Sequence, residues 1–205
     1  SGMGHAITVN EPIRFEKTNY FKSINAYNCS GTPVDCIKAG MYLLGDRKPD
    51  LILSGINHGS NVSTNVLYSG TMSAAVEGAL EGIPSIGFSL TDYSKDADFS
   101  ASSVIVQSIV KEALKNKIKK GICLNVNIPN VPLEKIKGIK TCRQGKAFWV
   151  DTFDKRVDPL GKEYYWLTGS FVNHEQSSET DVFLLQNNYV TIVPVQFDMT
   201  AYDQI

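Results

Sequence analysis

An α/β fold, built on a mostly parallel sheet flanked by helices and carrying a β-rich C-terminal extension, is predicted by three observations. The first half of the chain alternates short oily runs with helical patterns, which is how parallel strands joined by crossover helices read. The helical stretches there begin and end on residues suited to those places. After Pro129 the texture changes to alternating aromatic segments separated by polar turns, as paired antiparallel strands require.

In order, "SINAYNCS" reads as a strand. "GTPVDCIKAGMYLLG" follows as a helix with Thr32 at the N-cap, Pro33 at the first helical position and Asp35 in the first turn. Val34, Ile37, Met41 and Leu44 share one face, and Gly45 ends it. "PDLILSGI" is an uninterrupted oily strand of the kind buried on both faces. A helix over 70–81 closes at Gly82, and "PSIGFSL" is the next strand. From about Phe99 to Asn116, Ile105, Ile109 and Ala113 repeat at helical spacing. "ICLNVNIP" is a strand whose Asn125 and Asn127 interrupt the oily run near its C-terminal end. "IKGIKTCRQ", "AFWVDTFDKRV" and "KEYYWLTGSF" are aromatic-rich strands, and the segment from Glu179 to Thr200 gives a short helix and a last strand. The organisation expected is an α/β core over 1–130, a hairpin extension over 131–178 and a return to the core over 179–205. So many aromatics on strands outside a core are hard to leave in water. A hairpin that packs on a second copy of the chain and an extra sheet that covers its own domain are equally compatible with that composition.

The 205 residues, 42% hydrophobic, suffice for one sizeable core. Lysine and arginine number 20 against 21 acidic residues, a net charge of -1, which leaves no electrostatic footprint for nucleic acid or a membrane surface. A small-molecule substrate is expected instead. No run approaches the roughly 20 apolar residues of a membrane span, and "SGMGHAITVN" lacks the order of a signal peptide. The four cysteines form no CxxC pair, so reduced thiols in a soluble, cytoplasmic protein are expected.

The chemistry concentrates in "DLILSGINHGSNVSTNVLYSGTMSAAVEG", residues 50–78. Ligands bind an open parallel sheet where strands end and loops lead into helices. Here the connection is long and polar yet holds no carboxylate, lysine or arginine between Gly55 and Tyr68. Such a connection either grips an anion with neutral donors or completes a metal site whose charge comes from elsewhere. Ser69, Gly70 and Thr71 open the following helix, where free amides and the positive dipole end attract phosphate. The same residues are also ordinary N-cap and turn formers. His5, His58 and His174 are isolated. There is no GxxxxGK[ST], GxSxG or HExxH, which excludes P-loop transfer, a hydrolase elbow and a zincin site.

Taken together, "SGMGHAIT", "GTPVDC", "PDLILSGINHGSN", "YSGTMSAAVEG", "LNVNIP" and "TDVFLLQNNYVTIVPVQFDMT" resemble, in order and over essentially the whole chain, segments of the SurE survival-protein family. The resemblance implies a Rossmann-like core, a C-terminal hairpin exchanged between subunits in a homodimer or homotetramer, and hydrolysis of nucleoside monophosphates with a divalent metal, Mg2+ or Mn2+. It implies that Ser1 and Asn57 are metal ligands and that Asn61, Ser69, Gly70 and Thr71 meet the substrate phosphate. The family also carries an adjacent aspartate pair in an Asn-Asp-Asp-Gly motif. No Asp-Asp doublet occurs in these 205 residues, and the chain starts where the family already has a strand, a helix and a second strand behind it. The core is therefore expected to be N-terminally incomplete, its catalytic residues unassigned and its acidic ligands supplied from another strand. The alternative is a non-catalytic phosphate- or nucleotide-binding module, or an oligomeric interaction protein.

Overall fold

The computed structural model describes residues 2–205; Ser1, an expected metal ligand, lies outside the described residues. A five-stranded sheet in the order β3-β4-β5-β9-β6 forms the centre. It is built from β3 (Ile52–His58), β4 (Ser85–Leu90), β5 (Ile122–Ile128), β9 (Val190–Gln196) and β6 (Ile139–Thr141). β3, β4 and β5 run parallel, β9 is antiparallel to β5, and β6 is parallel to β9. Thus "IKGIKTCRQ" contributes an edge strand to the central sheet, while only the two strands after it form the hairpin.

β4 is buried along its whole length because helices cover both of its faces. On one face Ile86, Phe88 and Leu90 alternate inward and pack with Val126 and Ile128 of β5 against Ile105 and Ile109 of α4 (Ser100–Lys115). On the other, α3 (Gly70–Leu80) places Met72, Ala75 and Ala79 against Cys123. Gly87 makes that second approach possible, since a Cβ there would lie 2.5 Å from the Met72 sulfur.

α1 (Pro33–Leu44) begins as its sequence foretells. Thr32 Oγ1 accepts the Asp35 amide while the Asp35 carboxylate accepts the Thr32 amide, a reciprocal capping box. Its apolar stripe is only partly covered, with Leu44 exposed. β3 departs from expectation in the same region. Within the described residues it lies at the edge of the sheet, with Leu53 47% exposed. "SINAYNCS" gives β2 (Ala26–Cys29), which pairs antiparallel with β1 (Phe15–Thr18) in a separate two-stranded sheet. All four cysteines are free thiols; Cys123 is buried, whereas Cys36 is exposed.

The N-terminal segment is fastened to α1 and α3 by two buried carboxylates. Thr8 donates to Asp35 through its amide and hydroxyl, and Thr32 donates to Ala6 O. Glu77, on α3 and 5% exposed, takes His5 Nε2 at 2.9 Å and the Lys38 ammonium. Burial alone would raise the Glu77 carboxyl, but the hydrogen bonds from Lys38 and His5 outweigh it and hold it below the usual range.

The hairpin joins β7 (Ala147–Val157) to β8 (Glu163–Asn173) in register from Ala147↔Asn173 to Val157↔Glu163. Its root is packed by Ala147, Val62, Val182 and Leu185. Beyond the root it projects with Phe153, Tyr165, Trp166 and Leu167 exposed. α5 (Asp181–Gln186) then leads back to β9.

Candidate functional site

The parallel strands end at a cleft of about 870 Å³, within the size range of ordinary small-molecule sites. Its floor comes from residues 57–61, and its walls from α2 (Asn65–Tyr68), the Ser69 cap of α3, the hairpin and Tyr93. The long connection is therefore not a free loop. β3 carries on to His58, and α2 occupies its last 4 residues.

Asn57 reaches the floor through an irregularity in β3. The register with β4 shifts between Ser54 and Asn57. Gly55, at φ +107°, passes so close to β4 that a Cβ would lie 2.3 Å from the Phe88 carbonyl oxygen, a position that only glycine can occupy. Asn57 Nδ2 then donates to His58 O at 3.0 Å and Gly59 O at 2.8 Å. With its amide hydrogens spent on the backbone, the side chain offers the cleft its oxygen, a neutral acceptor. His58 lies beside it, exposed, with its ring edge-on to Phe99 at 5.0 Å.

Asn61, 6% exposed, is held more completely. Its amide donates to Asn127 Oδ1 at 2.7 Å, its carbonyl accepts from Asn125 Nδ2 at 2.8 Å, and its Nδ2 donates to Ser89 Oγ at 2.7 Å. Two residues on, the Ser63 amide donates to Asp181 Oδ2 at 2.8 Å, and the same carboxylate accepts the Gly145 amide at 2.8 Å. Asp181 thus ties the loop to the hairpin root. Burial raises its carboxyl despite the amides that favour its charged form.

Ser69 lines the cleft and caps α3, its Oγ accepting the Met72 amide at 3.1 Å. Gly70 and Thr71 are not among the lining residues. A Cβ on Gly70 would lie 2.9 Å from Pro33 Cγ, so packing against the start of α1 explains that glycine. Residues 70 and 71 belong to the first turn, whose amides the helix itself cannot satisfy.

The opposite wall was not readable from the sequence as part of the site. Tyr93, Phe148 and Trp149 line it together with Asp151 and Thr168. The Trp149 indole donates to Asn65 Oδ1 at 2.9 Å, which ties that ring to α2. Phe148 stacks on His174 at 4.2 Å. Phe148, Trp149, Asp151 and Thr168 lie far beyond the floor in sequence, and no local pattern marks their return.

Neither lysine nor arginine lines the cleft, and Asp151 is its one carboxylate among the described residues. An anion bound here meets amides, hydroxyls and a helix start. The described residues contain no group of three or more His, Cys, Asp or Glu able to hold a metal ion. One neutral oxygen from Asn57 falls short of the several oxygens that a divalent ion requires, so these residues do not by themselves fit the implied metal.

Comparison with known proteins adds four findings. The family model described as survival protein SurE matches residues 1–151. The chain is 54% identical over 204 residues to 5'-nucleotidase SurE of Christiangramia forsetii, covering 98% of the chain and 78% of that protein. It is 55% identical over 203 residues to 5'-nucleotidase SurE of Cytophaga hutchinsonii, with the same coverage. The crystal structure of the Aquifex aeolicus SurE protein superposes with a TM-score of 0.83 at 39% identity, covering 100% of this chain and 82% of that one.

Proposed function

The chain belongs to the SurE family, and on that premise we propose that it serves a phosphomonoesterase that hydrolyses nucleoside monophosphates, in the manner of a 5'-nucleotidase. The observation that carries this reading is the pairing, across one cleft, of an uncharged amide floor with an aromatic wall. The floor suits a phosphoryl group, because neutral donors and a helix start stabilise negative charge that develops there. The wall suits a nucleobase, whose flat face stacks on Tyr93 or Trp149.

In this reading Asn61 and Ser69, with the amides of Gly70 and Thr71, hold the phosphate, and Asn57 turns its oxygen to the reacting side. The family's divalent metal, Mg2+ or Mn2+, would supply Lewis-acid polarisation of the phosphoryl oxygens. Asn57 would contribute a neutral oxygen to it, with Ser1 as a second, and the carboxylates would come from outside the described residues. The exposed aromatics of β7 and β8 favour a homodimer or homotetramer formed through the hairpin. A cytoplasmic setting fits four free thiols and the lack, among the described residues, of a helix long and apolar enough to cross a membrane.

The test is phosphate release from nucleoside monophosphates with manganese, with and without chelator, beside a binding titration. Chelator-sensitive release that falls in Asn57→Ala supports the reading. Tight binding without turnover would replace the enzyme by a nucleotide-binding module, and a ligand-insensitive oligomer would replace both.

A further inference from the structure

The α3 face of the sheet changes character along its length. Toward the start of the strands it carries Gly87 and Cys123 and packs against Met72. Toward the strand ends the residues two and four positions on are Ser89, Asn125 and Asn127. The register sets Gly87 beside Asn125 and Ser89 beside Asn127, so the polar group is contiguous. Ser89 and Asn127 are 0% exposed and Asn125 is 2% exposed. Three buried polar side chains in a sheet core are costly unless each is paired, and a packed apolar face would have served the fold equally well.

Each of them is paired, and the pairs converge on one residue. Asn127 Oδ1 takes the Asn61 amide, Asn125 Nδ2 donates to the Asn61 carbonyl, and Ser89 Oγ takes Asn61 Nδ2. Asn127 Nδ2 donates to Asn125 Oδ1 at 2.9 Å, which locks both amides in one orientation. We propose that Ser89, Asn125 and Asn127 are positioning residues, a buried ladder that fixes the backbone and side chain of Asn61 so that its remaining amide hydrogen meets the phosphoryl group already aligned. This rests on the phosphomonoesterase reading. It assigns the asparagines of "LNVNIP" a role in the reaction that their place inside a strand does not suggest.

The experiment compares Ser89→Ala, Asn127→Leu and Asn127→Asp with the wild type in three measurements: steady-state kinetics on a nucleoside monophosphate with manganese, thermal unfolding, and the NMR signals of the Asn61 backbone and side-chain amides. Ser89→Ala removes one acceptor and little volume. It should lower kcat roughly tenfold with KM within about twofold, since a misaligned group loses rate more than binding, and it should shift the Asn61 side-chain signals while the unfolding midpoint stays near the wild type's. Asn127→Leu should lose more. Asn127→Asp should recover at acid pH, because a protonated carboxyl can donate to Asn125 and accept from Asn61 as the amide does, and should fail again as that acid ionises. Wild-type kcat in Ser89→Ala, or an Asn127→Asp variant whose loss is the same at every pH relative to the wild type, overturns the ladder and leaves the enzyme reading intact. A wild type that neither binds nor hydrolyses any nucleoside monophosphate removes that reading and this inference with it.

Discussion

The floor of the cleft and the hairpin that walls it meet at one cavity yet are held in place in opposite ways. The floor is buried and internally satisfied: Asn61 alone makes hydrogen bonds to three side chains, all on β4 or β5. Beyond its root the hairpin is held by its own ladder of backbone pairs and by side-chain pairs within it, such as Lys155 with Glu163 and Thr152 with Thr168, with Phe153 and Trp166 exposed. Chemistry that depends on alignment is placed where the protein can fix an atom from several directions. Contacts that depend on area, such as stacking or subunit packing, are placed where apolar surface remains free. Substitutions in the floor should therefore change rate, and substitutions in the wall should change affinity or assembly.

The sharpest way to break this contrast is Asn61→Ala. Removing a fixed donor to developing negative charge typically lowers kcat by about 10² to 10³. That loss is expected here, with the substrate's KM little changed, in initial-rate measurements on a nucleoside monophosphate. A purely additive effect on KM would place Asn61 with the wall and not with the chemistry.

A somewhat smaller effect should follow from loosening what supports the floor. Glu77 lies on α3, the helix that Ser69 caps, and its removal in Glu77→Ala leaves Lys38 and His5 without their shared carboxylate. Losing such a partner costs about 2 kcal/mol, or about 4 to 8 °C in the unfolding midpoint of a chain this size. The pH dependence follows from the direction of the Glu77 shift. A carboxyl held below its ordinary value stabilises the fold fully above its unfolded value of about 4.3 and loses that contribution as pH falls through the folded value. The stability gap between wild type and Glu77→Gln should thus be widest at neutral pH and close as the solution is acidified, as followed by thermal melts from pH 7 downward.

On the wall, Trp149→Ala should raise KM about tenfold and leave kcat within a few-fold, given that stacking one base on an aromatic ring contributes about 1 to 3 kcal/mol. Equal loss for the nucleotide and for inorganic phosphate, in competition assays, would show that the ring acts on the floor instead of on a base.

How far each region was legible follows from the same contrast. The core elements were readable because their signals are local. Thr32, Pro33 and Asp35 spell a helix start and form one, and Ser69 does the same for α3. The floor was partly readable, since Asn57 and Asn61 lie four residues apart in one connection. That Asn125 and Asn127 join them was not, for an asparagine in a strand does not state which loop will lie over it. The wall was readable as paired aromatic strands but not as part of the cleft. The transfer of β6 to the central sheet was hidden for the same reason: neighbours in a sheet are chosen by tertiary packing, to which strand propensity is blind. Gly70 carries a further lesson, because a glycine at a helix start reads equally as room for an anion or room for Pro33.

Ser69 allows the finest separation of the two kinds of role, because it both lines the cleft and caps α3. Ser69→Ala removes hydroxyl and cap together and should lower stability by about 1 kcal/mol, whereas Ser69→Gly restores most of the capping preference and should cost only a few tenths. Both variants lack the hydroxyl equally. If that oxygen contacts the phosphoryl group, the two should lose activity by the same factor despite their different unfolding midpoints. If it serves only to start the helix, activity should follow stability and Ser69→Gly should turn over nearly as fast as the wild type. Paired rate and melting measurements on these two proteins therefore distinguish a group that touches substrate from one that only starts the helix.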